Sequence, residues 1–144
     1  MRGGSSYAPD MDSRFKTRIV VAVLLIYGVY STVLGSVMLF APGFFFDTVG
    51  GFGIRNGHYI FDLAGFELPL GLMCLAAVKW PGWRVPTLAF ATVHYMLHSV
   101  SHLIDIGNAS TAWIGVFDFV VIAVGTVVHA IALWFSVQVA AVRR

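Results

Sequence analysis

The sequence predicts an all-α, polytopic membrane protein: a four-transmembrane-helix bundle with both termini cytoplasmic. Three observations predict it. The chain has 144 residues, of which 58% are hydrophobic and 11% charged, with a mean hydropathy of +0.83. Ordinary soluble domains carry roughly 25% charged residues. The apolar residues come in long blocks rather than amphipathic stripes, and four blocks are each near the ~20 residues needed to cross a ~30 Å hydrocarbon core. Finally, Lys and Arg are unevenly divided between the connections, as the positive-inside rule requires.

Each span has its own stop signals. The first covers residues 17–40 and halts at Ala41-Pro42-Gly43. The second covers 57–78 and ends at Lys79-Trp80-Pro81-Gly82. The third, 85–106, opens with Pro86, which suits a first helical turn, and closes at Gly107-Asn108. The fourth runs over 112–142. None alternates as a membrane β-strand would, and an isolated apolar run in lipid satisfies its backbone only as a helix. Residues 1–16 form a polar, Gly/Ser-rich cytoplasmic tail, disordered over its first 13 residues, ahead of one domain, 17–144.

Orientation follows from charge. One side carries Arg2, Arg14, Lys16, Arg18, Lys79, Arg84, Arg143 and Arg144; the other carries only Arg55. This puts both termini in the cytoplasm, with the spans crossing the cell inner (cytoplasmic) membrane. Trp80, Trp83 and Trp113 fall at the membrane–water boundaries, as an aromatic belt does. The single Cys74 excludes a disulfide framework or a thiolate metal motif. No nucleic-acid partner is expected. The connection 42–56, with Phe44-Phe45-Phe46 and Gly50-Gly51-Phe52-Gly53, reads as an interfacial connector or as a lid over the outer mouth.

The chemistry lies in the spans. Asp62, Glu67, His94, His98, His102, Asp118 and His129 all fall inside stretches expected in lipid, where a charge costs about 2.5–3.5 kcal/mol on insertion scales. His58 and Asp62 stand at i, i+4, on one helix face; His94, His98 and His102 form a second such stripe, which Asp105 joins. Counted from the outer ends at ~1.5 Å per residue, His58, His102 and Asp105 lie within about 5 Å of the boundary, Asp62, His98 and Asp118 about 9–10 Å deep, and Glu67 and His94 about 16 Å deep. Three helices thus offer ligands at matching levels.

Helical bundles build metal sites from such inward His and carboxylate side chains. The candidate ligands are His58, Asp62, Glu67, His94, His98, His102, Asp105 and Asp118, and the mixed set suits iron, copper or zinc. His98, Asp62 and Asp118 are expected within reach of one another. A metal-free polar network that fixes helix register, a proton relay and a small-ligand pocket are the competing readings. Haem fits less well, because His94 and His129 differ in depth. His129 is expected to hydrogen-bond a neighbouring helix. Pro69 frees the Gly65 carbonyl and bends the second helix beside Glu67, while Gly65 and Gly71 permit close helix approach.

The short basic tail, the first span ending Phe40-Ala41-Pro42-Gly43, and Arg55-Asn56 opening the second span resemble the DoxX-like group of small four-helix bacterial membrane proteins. The resemblance covers the outline of the chain and implies a four-helix membrane fold; no site residue follows from it. A slighter similarity is to sterol-isomerase-like four-helix proteins, which place His and Glu in a membrane pocket. Two function classes follow from the residues. One is a membrane metalloprotein, such as an oxidoreductase acting on an apolar substrate beside lipid. The other is an accessory subunit of a larger membrane complex, since a bundle with such short loops invites membrane-protein partners or a homo-oligomer.

Overall fold

The computed structural model describes residues 11–142. Among them are five α-helices: α1 (Met11–Phe40), α2 (Pro42–Thr48), α3 (Gly57–Lys79), α4 (Arg84–Ile104) and α5 (Ala112–Val142). Three of these, α1, α3 and α5, are long and apolar enough to cross a membrane. Such helices suit embedding in a bilayer with their outer faces against lipid.

Helix α1 starts at Met11, earlier than the expected position 17. Local chemistry explains the extra turns. Asp12 stands in the first turn, where a negative charge meets the positive end of the helix dipole. Lys16 pairs with it at i, i+4. The Thr17 hydroxyl donates to the Ser13 carbonyl at 2.8 Å, satisfied inside the helix. The disordered tail expected over 1–13 lies outside the described residues for its first ten positions, and positions 11–16 are helical.

The first connection holds more structure than a plain loop. Pro42 fixes φ at the N-terminus of α2, and Phe45 turns inward to pack with Met38, Ile60 and Ala64. Helix α3 then begins at a clear cap: Asn56 Oδ1 accepts from the backbone N–H of His58 at 3.1 Å and of Tyr59 at 3.4 Å. It ends at Lys79, just ahead of Trp80-Pro81, where the residue before proline leaves the helical region. A single 3₁₀ turn, Pro81–Trp83, joins α3 to α4. Arg84 spans that turn, donating to the carbonyls of Ala77 at 3.2 Å and Val78 at 3.3 Å.

The helices pack chiefly as two pairs, α1 with α3 and α4 with α5, and the pairs meet through α1–α5 and α3–α4 contacts. Close approach of α1 and α3 depends on glycine. A Cβ on Gly71 would lie 2.4 Å from the Thr32 backbone nitrogen, and one on Gly35 would lie 2.5 Å from that of Leu68. Gly71 therefore packs as expected. Gly65 does not, since a Cβ there would meet nothing within 4 Å. Val20, Leu24, Leu70, Cys74, Leu88, Ala91 and Ala132 fill the centre where the pairs meet.

Helix α4 is less apolar overall because it carries the histidine stripe. Between Phe90 and Val100, its exposed side chains are Phe90, Val93, Met96, Leu97 and Val100, all apolar. Its polar groups face the other helices. This is the reverse of an amphipathic surface helix in water.

Candidate functional site

Glu67 on α3 and His94 on α4 meet at the centre of the bundle. Glu67 is 3% exposed, and its Oε1 lies 3.0 Å from His94 Nε2. The sequence placed both at one depth on facing helices, and the structure brings them together. Glu67 Oε2 is buried without a hydrogen-bond partner. A buried carboxylate keeps its charge only against a compensating group, and the His94 imidazole is the group placed beside it.

Above His94 the imidazoles form a row. The His98 ring stacks on His94 at 5.9 Å, tilted 9°, and His102 meets His98 at 4.7 Å. Spacing of four residues on one helix face produces this geometry. Glu67 lies within electrostatic reach of His98, and Asp105 and Asp118 within reach of His102. The row thus runs between acidic groups at both ends. Asp105 accepts from Asn108 Nδ2 at 3.1 Å, while half-buried Asp118 makes no hydrogen bond or ion pair among the described residues.

Below His94 lies an aromatic group. Tyr95 turns into the core, where its hydroxyl and that of Ser31 on α1 are 3.1 Å apart. Its ring stacks on His129 at 4.8 Å, and Tyr27 packs edge-on to His129 at 4.2 Å. The expected hydrogen bond from His129 to a neighbouring helix is not found among the described residues. Its Nδ1–H donates to the Gly125 carbonyl of its own helix at 2.7 Å, one turn back, and its partners across the bundle are rings.

Asp62 stands apart from the row. It is exposed and faces His58, whose Nε2 is 3.5 Å away. No hydrogen bond or ion pair joins it to His98 or Asp118 among the described residues. The expected His98–Asp62–Asp118 grouping is therefore absent there. The reason is angular. Asp62 and Glu67 are five residues apart, about 140° around a helix of 3.6 residues per turn, so both cannot face the same way. Matching depth was the right criterion for Glu67 and His94 and an insufficient one for Asp62. Among the described residues, no three of His, Cys, Asp and Glu are arranged to hold a metal ion. Tyr27, Ser31 and Tyr95 belong to the surroundings of the site and carry no reading in the sequence analysis, whereas Phe52 lies in the connection read there as a connector or a lid. Tyr95 had a readable signal, standing next to His94 and seven residues from Leu88 and His102 on a strongly patterned helix.

A cavity of about 210 Å³ lies at the opposite end of the bundle, lined by Thr17, Arg84 and Ser136 among others, and shares no residue with the row. Fold and composition define an all-helical chain with helices fit to cross a membrane and an ionisable pair buried between them. No protein-family model, curated protein or solved structure matches the chain.

Proposed function

We propose that the chain is a four-span membrane protein with both termini cytoplasmic, and that its working centre is a proton-accepting pair, Glu67–His94, reached from the outer face along His98 and His102. The observation that carries this reading is the fully buried Glu67, hydrogen-bonded to the first imidazole of an ordered row. Ionisable groups inside a membrane bundle mark ion or proton pathways. Imidazole suits the task because each ring can accept a proton at one nitrogen and release it from the other near neutral pH.

The fourth span rests on α4. Its 21 residues reach about 32 Å at 1.5 Å per residue, and its exposed central side chains are apolar. The orientation rests on the eight-to-one division of Lys and Arg. Reporter fusions after residue 142 and at Asn108 are expected to report opposite sides of the membrane. Both on the same side would remove the four-span reading.

Infrared difference spectroscopy between acidic and alkaline buffer tests the centre itself. A carbonyl band from a protonated buried carboxyl is expected in the wild type, absent in Glu67→Gln and shifted in His94→Ala. A band that persists in Glu67→Gln would assign the titrating group elsewhere.

One observation favours a second reading. The unpartnered Glu67 Oε2 belongs to a carboxylate beside His94, and His98 stands one turn further along α4. In that reading Glu67, His94 and His98 would hold a transition-metal ion (iron, copper or zinc), which would supply a Lewis-acid or redox centre. Elemental analysis of protein purified without chelator separates the two. A stoichiometric metal lost in Glu67→Gln supports the metal reading, and metal-free protein with a titrating Glu67 supports the proton reading.

A further inference from the structure

The outer end of the imidazole row is closed by one residue from a distant part of the chain. Phe52 stands edge-on to His102, with ring centroids 4.8 Å apart and planes at 87°. Beneath this cover, His102 Nδ1 is buried and has no hydrogen-bond partner. A polar nitrogen sealed off in this way is rare in a folded protein, because burial without a partner forfeits the hydrogen bond that water would supply. The nitrogen points to a second arrangement in which it is wet.

The segment that carries Phe52 is lightly held against the opposite connection. Two backbone hydrogen bonds clasp it to the opposite connection: Gly53 N–H to Asn108 O at 3.1 Å, and Ser110 N–H to Gly51 O at 2.8 Å. These flank an isolated antiparallel bridge between Phe52 and Ala109. No further strand reinforces them among the described residues. Glycines stand on both sides of Phe52. Gly53 has φ +58°, a region that other residues rarely enter, and a Cβ on Gly50 would collide with the Phe45 ring at 2.4 Å. Gly50, whose N–H donates to the Phe45 carbonyl at 2.9 Å, is thus the fixed end of the segment, and Gly53 is the position suited to absorb a backbone change when the loop opens.

We propose that residues 50–53 form a gate over the outer end of the row, with Phe52 as its plug, so that lifting the segment admits water to His102 and thence to Glu67–His94. The gate rests on the reading of the row as the route to Glu67, but access to the imidazoles can be measured whether or not they move protons. When the gate is closed, His102 Nδ1 is kept from water and Glu67 keeps the proton state it had. Opening lets the pair equilibrate with the outer solution.

Gly51 and Ser110 provide the lock. A Cβ on Gly51 would lie 3.4 Å from Ser110 Cβ, close to the ~3.5–4.5 Å separation that a disulfide requires. The test uses the full chain carrying Cys74→Ala, which removes its sole cysteine, together with Gly51→Cys and Ser110→Cys. Diethyl pyrocarbonate, which modifies imidazole nitrogens, is the probe, and mass spectrometry reads the rate at each histidine. Exposed His58 is the internal standard. Oxidation is expected to slow modification of His98 and His102 at least tenfold relative to His58, and reduction to restore it. Phe52→Ala, made separately, is expected to speed modification of His102 several-fold. Equal rates in the oxidised and reduced forms would overturn the gate. If the double-cysteine form fails to fold, an unchanged His102 rate in Phe52→Ala does so instead. Rates that follow the lock while the Glu67 carboxyl band is absent would retain the gate and remove the proton-accepting reading.

Discussion

His94→Ala is expected to destabilise the protein by about 3–5 kcal/mol, the range for stripping a buried ionised group of its partner. The substitution leaves Glu67, 3% exposed, with neither carboxylate oxygen bonded. It stands away from solvent while the row is closed, and the low-dielectric interior cannot disperse the charge. Glu67 must then take up a proton or move outward past α1, and either response lowers stability. The second substitution makes the test specific. In Glu67→Leu/His94→Leu no charge remains to be compensated, and a buried ion pair replaced by apolar groups of similar volume is often neutral or stabilising. The double variant is therefore expected to recover more than half of the loss. His98→Ala is the control. That ring makes no hydrogen bond among the described residues, so its loss should cost about 1 kcal/mol, near the centre of ordinary substitutions. Thermal unfolding in detergent, followed by tryptophan fluorescence, measures all three. A His94→Ala protein as stable as His98→Ala would show that Glu67 does not depend on the pair.

What could be read from the sequence divides along physical lines. Hydropathy runs and their Pro/Gly stops gave the four long helices, because burial in lipid is a property of residue totals and survives averaging. The third of them shows the limit of that averaging. Its three histidines pull α4 below the apolar level of α1, α3 and α5, although its outward side chains are apolar. Only the distribution around the helix reveals this. Depth along an axis was also legible, since the rise per residue is fixed, and it put Glu67 level with His94. Rotation between helices was not legible. It depends on which face packs, and α3 presents Ile60, Ala64, Glu67, Leu70, Gly71 and Cys74 inward while Asp62 points out. The contact of Phe52 with His102 joins residues fifty positions apart. No local pattern encodes such a contact. The triple glycine around it signalled a special backbone without saying what it covered.

Gly71→Ala and Gly65→Ala are expected to move stability in opposite directions, though both put the same methyl group on the same helix. At Gly71 the new Cβ would lie 2.4 Å from Thr32 N and 2.9 Å from Gly28 O. Both are backbone atoms of α1, which cannot swing aside as a side-chain tip can. Helices α1 and α3 must separate along the whole seam, and overpacking of this kind costs about 1–3 kcal/mol. At Gly65 the methyl meets open space, and the lower conformational entropy of alanine should contribute about 0.5–1 kcal/mol of added stability. Equal melting temperatures for the two variants would mean that the α1–α3 seam is not close-packed. The consequence reaches the site. Gly71 is one turn from Glu67 on the buried face of α3, so the same close approach that excludes a methyl at Gly71 excludes water beside Glu67 Oε2. Gly71→Ala is therefore expected to hydrate that oxygen and shift the Glu67 carboxyl band toward that of a solvated acid, while Gly65→Ala leaves it in place. The glycine that closes the α1–α3 seam would then also set the environment in which the buried carboxyl holds its proton.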